Sequence, residues 1–276
     1  MHPAWDSAGG QRASDSPPVS LAYDRVGHGP PLVLLHSLGA DRRVWDPILE
    51  PLAQDREVLA VDLPGFGESP PLSHTPTPSA LAHAVAEFLA GLGLSRPHVA
   101  GNSLGGWVAL ELGLAGHARS VTAIAPAGLW PQPLMPKRGI ARGIARAALP
   151  LLDRMAASER GRRLILTGSV AHPERVPAQD AAHLVRAYAL APGFRAANDA
   201  MRSARFEGLE RIRVPVTLVW PEHDRLVERP TWLPLGVHSR TLEDAGHLPM
   251  WDAPAALSRL LVRTSAGASS TLNRSP

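Results

Sequence analysis

Short apolar runs recur along this chain, each separated from the next by a longer stretch with helical spacing. The runs are "PLVLLH" (31–36), "EVLAVD" (57–62), "PHVAGN" (97–102), "SVTAIA" (120–125) and "PVTLVW" (215–220). Each is apolar along nearly its whole length rather than at alternate positions. That is the pattern of strands covered on both faces, as in a parallel sheet. "TPSALAHAVAEFLAGLG" follows the second run, with Thr77 as candidate N-cap, Pro78 in the first turn and Gly91 at the end. "LGGWVALELGLAGH" follows the third run. "WDAPAALSRLLVRT" lies near the C-terminus, with Asp252 as its expected N-cap and Pro254 in the first turn. Strand–helix alternation of this kind predicts right-handed crossovers and an α/β, doubly wound, mostly parallel sheet. The 276 residues suffice for a sizeable core.

The alternation stops between about residues 131 and 210, which read as helical throughout and lie between two sheet strands. The predicted organisation is a core of 18–130 and 211–264, a helical cap of 131–210, and polar tails at 1–17 and 265–276. The segment ahead of "VSLAYDRVG" is short and polar, so no strand is expected there.

Composition removes several function classes. The 28 basic and 25 acidic residues leave a formal charge of +3, too small and too scattered to predict nucleic-acid binding. Cysteine is absent, which excludes disulfides, thiol catalysis and cysteine metal sites. The glycines of "DLPGFGES" (62–69) follow a strand but open no helix, so they form no dinucleotide fingerprint. No metal or cofactor is expected. No apolar stretch reaches the length of a membrane span, and the first residues carry no apolar leader, so the expected location is the cytoplasm.

The third run ends in "HVAGNSLGGWVAL", which sets Ser103 between Gly101 and Gly105. A strand, G-x-S-x-G and a helix in succession make a nucleophile elbow. The turn is so tight that the flanking residues must be small, and the hydroxyl stands clear of the sheet at a helix N-terminus, where the dipole favours negative charge. A serine so placed needs a base, and the base an orienting acid, in the chain order Ser, acid, His. Of the 12 histidines, only His238 and His247 follow the acid candidates of "WPEHD". His238 opens a strand-like run, whereas His247 lies in the loop "EDAGHLPMW", so His247 is the candidate base. Asp224 is the candidate acid, with Glu222 and Asp244 as competitors. The tetrahedral oxyanion needs two backbone donors. Leu104, after the serine, and Leu38, in the loop after the first run, are assigned to that hole.

Taken with "LLHSLG", "DLPGFGES", "GNSLGG", "WPEHD" and "GHLPMW", in that order, the chain resembles the α/β-hydrolases with a helical cap over roughly residues 18–264. The resemblance implies a triad of Ser103, Asp224 and His247, an oxyanion hole of Leu38 and Leu104, and a cap inserted after the sixth strand. It departs from the family at His36-Ser37, where His-Gly is usual, and serine resists positive φ where glycine does not.

The elbow residue narrows the chemistry. Dehalogenases and epoxide hydrolases of this family carry aspartate there, so Ser103 points to acyl transfer to water and a carboxylic ester of a small to medium acyl group. The alternatives are a C–C hydrolase of vinylogous diketones, in which a tryptophan tends to stand where this chain has Leu248, and a thioesterase-like enzyme acting on a carrier-bound acyl group. A ligand-binding protein without turnover is a third reading. His36, Ser37, Trp130 and Leu248 are the candidate lining of the substrate pocket. From Lys137 to Arg163 there are eight basic residues and two acidic ones, with Arg138, Arg142 and Arg146 on one helix face and Ile140 and Ile144 on another. The expectation is that the arginines are solvated and the isoleucines face the pocket, the alternative being a basic face for an acidic partner such as an acyl carrier protein or for an anionic surface.

Overall fold

The computed structural model describes residues 20–135 and 139–266. Seven strands form one sheet: β1 (Tyr23–Val26), β2 (Pro31–Leu35), β3 (Glu57–Val61), β4 (His98–Asn102), β5 (Ser120–Ile124), β6 (Val216–Pro221) and β7 (His238–Leu242). Their order is β1-β3-β2-β4-β5-β6-β7; β1 is antiparallel to β3 and every other pairing is parallel. The five apolar runs coincide with β2 to β6 to within a residue at each end. The sheet is apolar on both sides because strand side chains alternate between faces. Val33 and Leu35 enter one buried cluster with Val99, Trp107 and Val108, while Leu32 and Leu34 enter another with Ile48, Val58 and Leu257.

Helices α1 (Asp46–Ala53), α2 (Pro78–Gly91) and α3 (Leu104–Leu114) connect the first strands. Thr77 caps α2, its hydroxyl accepting from the Ala80 N–H at 3.1 Å. Between β5 and β6 come α4 (Ile140–Ala148), α5 (Leu152–Ala156), α6 (Glu159–Ile165), α7 (Ala178–Leu190) and α8 (Phe194–Arg202), with no strand among the described residues. Among the described residues this helical insertion follows the fifth strand, β5, and not the sixth as expected. The chain closes with α9 (Pro249–Asp252) and α10 (Pro254–Thr264). Ser265, expected in the C-terminal tail, is instead buried, and Arg56 Nε donates to its Oγ at 2.8 Å.

Two expectations are corrected. Asp252 is the last residue of α9, and Ala253 holds the N-cap position of α10. The second correction concerns α4: Ile140 and Ile144 face outward and Arg142 is half-buried against α7, while Arg146 is exposed as expected. Arg142 Nε donates to the Tyr188 carbonyl at 3.1 Å and its Nη2 to that of Ala191, while Arg146 Nε donates to the Ala189 carbonyl at 2.8 Å. These carbonyls belong to the last turn of α7, where no intrahelical partner exists. Arg142 also lies over the Phe194 ring, 4.9 Å from its centroid. Burial, and then the neighbouring Arg146 charge, lower the Arg142 pKa. Ile140 and Ile144, half a helical turn away, are 67% and 65% exposed. Arg138 lies outside the described residues.

Candidate active site

Ser103 sits where β4 gives way to α3, with φ 55° and ψ −113°. The sequence folds this way because positions 101 and 105, two residues to either side, have no room for a side chain. A Cβ on Gly101 would lie 2.0 Å from the Gly105 carbonyl oxygen, and one on Gly105 would lie 2.2 Å from that of Leu35. The serine backbone is held on all sides: its N–H donates to the Ile124 carbonyl at 2.8 Å, and its own carbonyl accepts from Trp107 and Ala127, both at 3.0 Å. A non-glycine residue at positive φ persists only where its surroundings over-determine it. Among the described residues, Ser103 Oγ has no hydrogen-bond partner, so the hydroxyl is available to a ligand.

His247 is brought beside this turn by Asn102, whose Nδ2 donates to the His247 carbonyl at 3.0 Å. Its Nδ1 lies 2.8 Å from Asp224 Oδ2, and the two side chains are 7% and 4% exposed. With a carboxylate on Nδ1, the proton belongs there, which leaves Nε2 with a lone pair. Asp224 Oδ1 accepts from the N–H groups of Leu226 and Val227 at 2.7 and 3.2 Å. Burial pushes the Asp224 carboxyl pKa up, but the His247 hydrogen bond, its charge and the two backbone donors outweigh it and hold the pKa below the ordinary value. The competing acids are engaged elsewhere. Glu222 accepts from the Asp244 N–H at 3.1 Å, and Asp244 pairs with His172 and Arg175 of the helical insertion. His238 is exposed at the start of β7.

The loop after β2 is pinned by His36, whose ring is wholly buried. Its Nδ1 is 2.8 Å from the Ser37 carbonyl, and its Nε2 2.9 Å from the Leu63 N–H. The first contact requires a donor and the second an acceptor, which fixes the neutral Nδ1–H tautomer. Burial is the largest influence and lowers the His36 pKa, ahead of the opposing effect of Asp62. The awkward torsion falls on Gly39 (φ 81°), and Ser37 stays out of the positive-φ region. Among the described residues, the N–H groups of Leu38 and Leu104 have no protein acceptor.

The other residues expected at a substrate pocket are placed differently. Both ring nitrogens of His36 are taken by the backbone, so it offers nothing to a ligand. Leu248 is buried against the sheet, its N–H donating to the Ser169 carbonyl at 2.8 Å. Ser37 is buried in the loop after β2, 6% exposed. Trp130 meets Trp107 edge-on at 5.8 Å and donates from Nε1 to the Ala204 carbonyl at 2.9 Å, tying the start of the insertion to its end. A cleft of about 780 Å³ lies between the loop after β3 and α8, lined by Pro64, Gly65, Leu72, His74, Ala196 and Arg202 among others, and by none of Ser103, Asp224 and His247.

Asp252 has a role that the sequence reading missed. Its buried carboxylate accepts from the N–H groups of Gly246 and Ala171 on Oδ2, at 2.8 and 2.9 Å, and of His172 on Oδ1, at 2.8 Å. One side chain thus clasps the His247 loop to the helical insertion. A signal was present: Pro254 favours the first helical position, which makes Ala253 the cap and frees Asp252 for other partners.

Residues 32–260 match the family model of the alpha/beta hydrolases. The chain is 35% identical over 195 residues to epoxide hydrolase EphH of Mycobacterium tuberculosis, covering 66% of this chain and 91% of that one. It is 36% identical over 141 residues to the pimeloyl-[acyl-carrier protein] methyl ester esterase of Aeromonas hydrophila, covering 51% of this chain and 53% of the esterase. The enol-lactonase of Burkholderia xenovorans LB400 has a similar fold, with a TM-score of 0.69 at 21% identity, over 88% of this chain and 95% of that one.

Proposed function

The chain belongs to the alpha/beta hydrolase family, and we propose that within it the chain is a serine hydrolase that cleaves a carboxylic ester through an acyl-enzyme. The observation that carries the proposal is the shielded 2.8 Å contact between His247 and Asp224 in the loop that Asn102 ties to the elbow. In this reading Ser103 Oγ attacks the acyl carbonyl carbon while His247 Nε2 takes its proton. The N–H groups of Leu38 and Leu104 receive the oxyanion. The carbonyl re-forms as the C–O bond to the alcohol breaks, and His247 returns the proton to the leaving oxygen. A water activated by the same Nε2 then releases the acid and restores Ser103. Asp224 keeps the imidazole in the Nδ1–H tautomer throughout. The helical insertion acts as the cap that selects the acyl group.

The likeness to an epoxide hydrolase is weighed by the same chemistry. A serine that opened an epoxide would be left as an alkyl ether, with no carbonyl for water to attack. Serine at position 103 is therefore suited to acyl substrates and not to epoxides. The Aeromonas relative favours a second reading, an ester borne on a carrier protein. Of the arginines of α4, Arg142 donates to the Tyr188 and Ala191 carbonyls, while Arg146 stays exposed, so the second reading is left to the experiment below.

The test is a panel of p-nitrophenyl esters of increasing chain length, with one vinylogous diketone and one carrier-bound methyl ester. Ester hydrolysis is expected to fall by several orders of magnitude in Ser103→Ala. Unchanged turnover in the purified variant refutes the assignment, and preferred cleavage of the diketone moves it to C–C hydrolysis.

A further inference from the structure

The outward face of α4 is the most unusual surface of the molecule. Ile140, Ala141, Gly143, Ile144 and Ala147 are all exposed, and Leu151, in the turn that follows, is 59% exposed. These positions carry no charge. A Cβ on Gly143 would meet nothing within 4 Å, so none of the described residues covers the face at that point. An exposed helix normally turns its charges outward. Here the two arginines of α4 donate to the last carbonyls of α7, and Arg142 also lies over the Phe194 ring. Rolling the helix to hide Ile140 and Ile144 would leave those carbonyls unpaired, so the outward apolar stripe is locked in place.

We propose that this face docks the protein on an anionic lipid surface, with Ile140, Ile144 and Leu151 entering the headgroup–acyl boundary. Charge complementarity favours a lipid surface. Arg154 in α5 and Arg160 in α6 come six and twelve residues after α4, are exposed, have no carboxylate within ion-pair distance among the described residues, and outnumber the one acid between them, Glu159. Asp153, next to them, is neutralised by Arg186 at 2.9 Å. An apolar stripe followed in the chain by unpaired arginines fits the boundary between acyl chains and anionic headgroups. A second protein fits less well. A stable protein interface needs about 20–30 residues a side, and the uncharged surface of α4 is a single stripe little more than two helical turns long. Docking there would lay the helical insertion on the bilayer while leaving the sheet in water. No helix of the described residues is long and apolar enough to cross a membrane, so the contact is peripheral.

The test is sedimentation with vesicles of phosphatidylcholine alone and of phosphatidylcholine with phosphatidylglycerol, using the full chain and the double variant Ile140→Ser, Ile144→Ser. Both side chains are exposed, so the variant is expected to fold and to keep its turnover of a soluble ester. The wild type is expected to sediment with the anionic vesicles, to do so less as salt is raised, and to bind phosphatidylcholine alone weakly. The double variant is expected to bind the anionic vesicles about tenfold less or weaker still. Equal binding by both proteins overturns the proposal, as does a wild type that ignores anionic vesicles. A wild type that is dimeric in solution, with a monomeric variant, overturns it in favour of a second copy of the chain. The outcome is independent of the ester-hydrolase reading, because vesicle binding is scored without turnover.

Discussion

Truncating Asp252 to alanine should be the most costly single change outside the elbow. The carboxylate is 6% exposed and accepts three backbone N–H groups, from Ala171, His172 and Gly246, at 2.8 to 2.9 Å. Alanine leaves all three donors unpaired in a space the size of a carboxyl group. A buried donor without a partner costs about 1–3 kcal/mol, and water entering the vacated space can recover part of that. The expected loss is therefore about 3–6 kcal/mol, a large share of the roughly 5–15 kcal/mol that holds a domain folded. Asp252→Asn keeps one carbonyl oxygen but turns an NH2 towards at least one donor, so its loss should be smaller, about 1–3 kcal/mol. Urea unfolding followed by tryptophan fluorescence measures both. Turnover measured well below the unfolding midpoint reports on the His247 loop: Asp252→Asn should lower kcat more than it raises KM, since Gly246 adjoins His247, the base proposed above, and not the cleft. A loss below about 1 kcal/mol in Asp252→Ala, or an Asn variant less stable than the Ala variant, would refute the idea that these three bonds hold the loop to the insertion.

Further expectations follow from the same geometry. Gly105→Ala places a Cβ 2.2 Å from the Leu35 carbonyl oxygen, and since backbone must move, soluble yield and ester turnover should both collapse; a stable, active variant would show that the elbow is looser than its contacts imply. Ser37→Gly should change kcat by less than about tenfold, under the roughly 10²–10³ cost of a lost oxyanion donor, because Gly39 already carries the positive φ. A tenfold rise would mean that Ser37 misaims the Leu38 N–H. Acid should weaken the fold through buried histidines. Burial first, and then Arg56 and Arg119, lower the His98 pKa from 6.5 to about 4, and burial lowers that of His36 as well. Below pH 6.5 the unfolded chain takes up protons that the native state refuses, so stability is fully present above that pH and falls as the pH drops towards about 4. His98→Gln should flatten part of that slope, seen as a smaller change in urea midpoint between neutral and acidic buffer; an unchanged slope would remove His98 from the account.

The sequence by itself determined the sheet. β2 to β6 are legible because a strand covered on both faces has to be apolar along its whole length, and few other local structures demand that. The elbow is legible for a related reason. Gly101 and Gly105 are dictated by backbone atoms about 2 Å from where a Cβ would stand, so the constraint is written in the residue types. Asp224 and His247 could be nominated from chain order, but their 2.8 Å separation depends on two loops that leave different strands and meet only when β6 and β7 pair.

What the tertiary structure alone decided concerns groups whose partners are distant in the chain. The spacing of α4 gives two faces, arginine and isoleucine, and cannot say which one turns inward. That choice belongs to α7, whose last carbonyls have no helical partner and capture the guanidinium groups from 43 to 49 residues away. Asp252 reads as a helix cap because caps are local; its true partners include N–H groups some 80 residues distant, which no local pattern encodes. His36 reads as a pocket residue until the Leu63 N–H, 27 positions on, takes its second nitrogen. In each case the deciding term is the cost of a buried polar group without a partner. That cost is settled only when the fold brings a donor and an acceptor together.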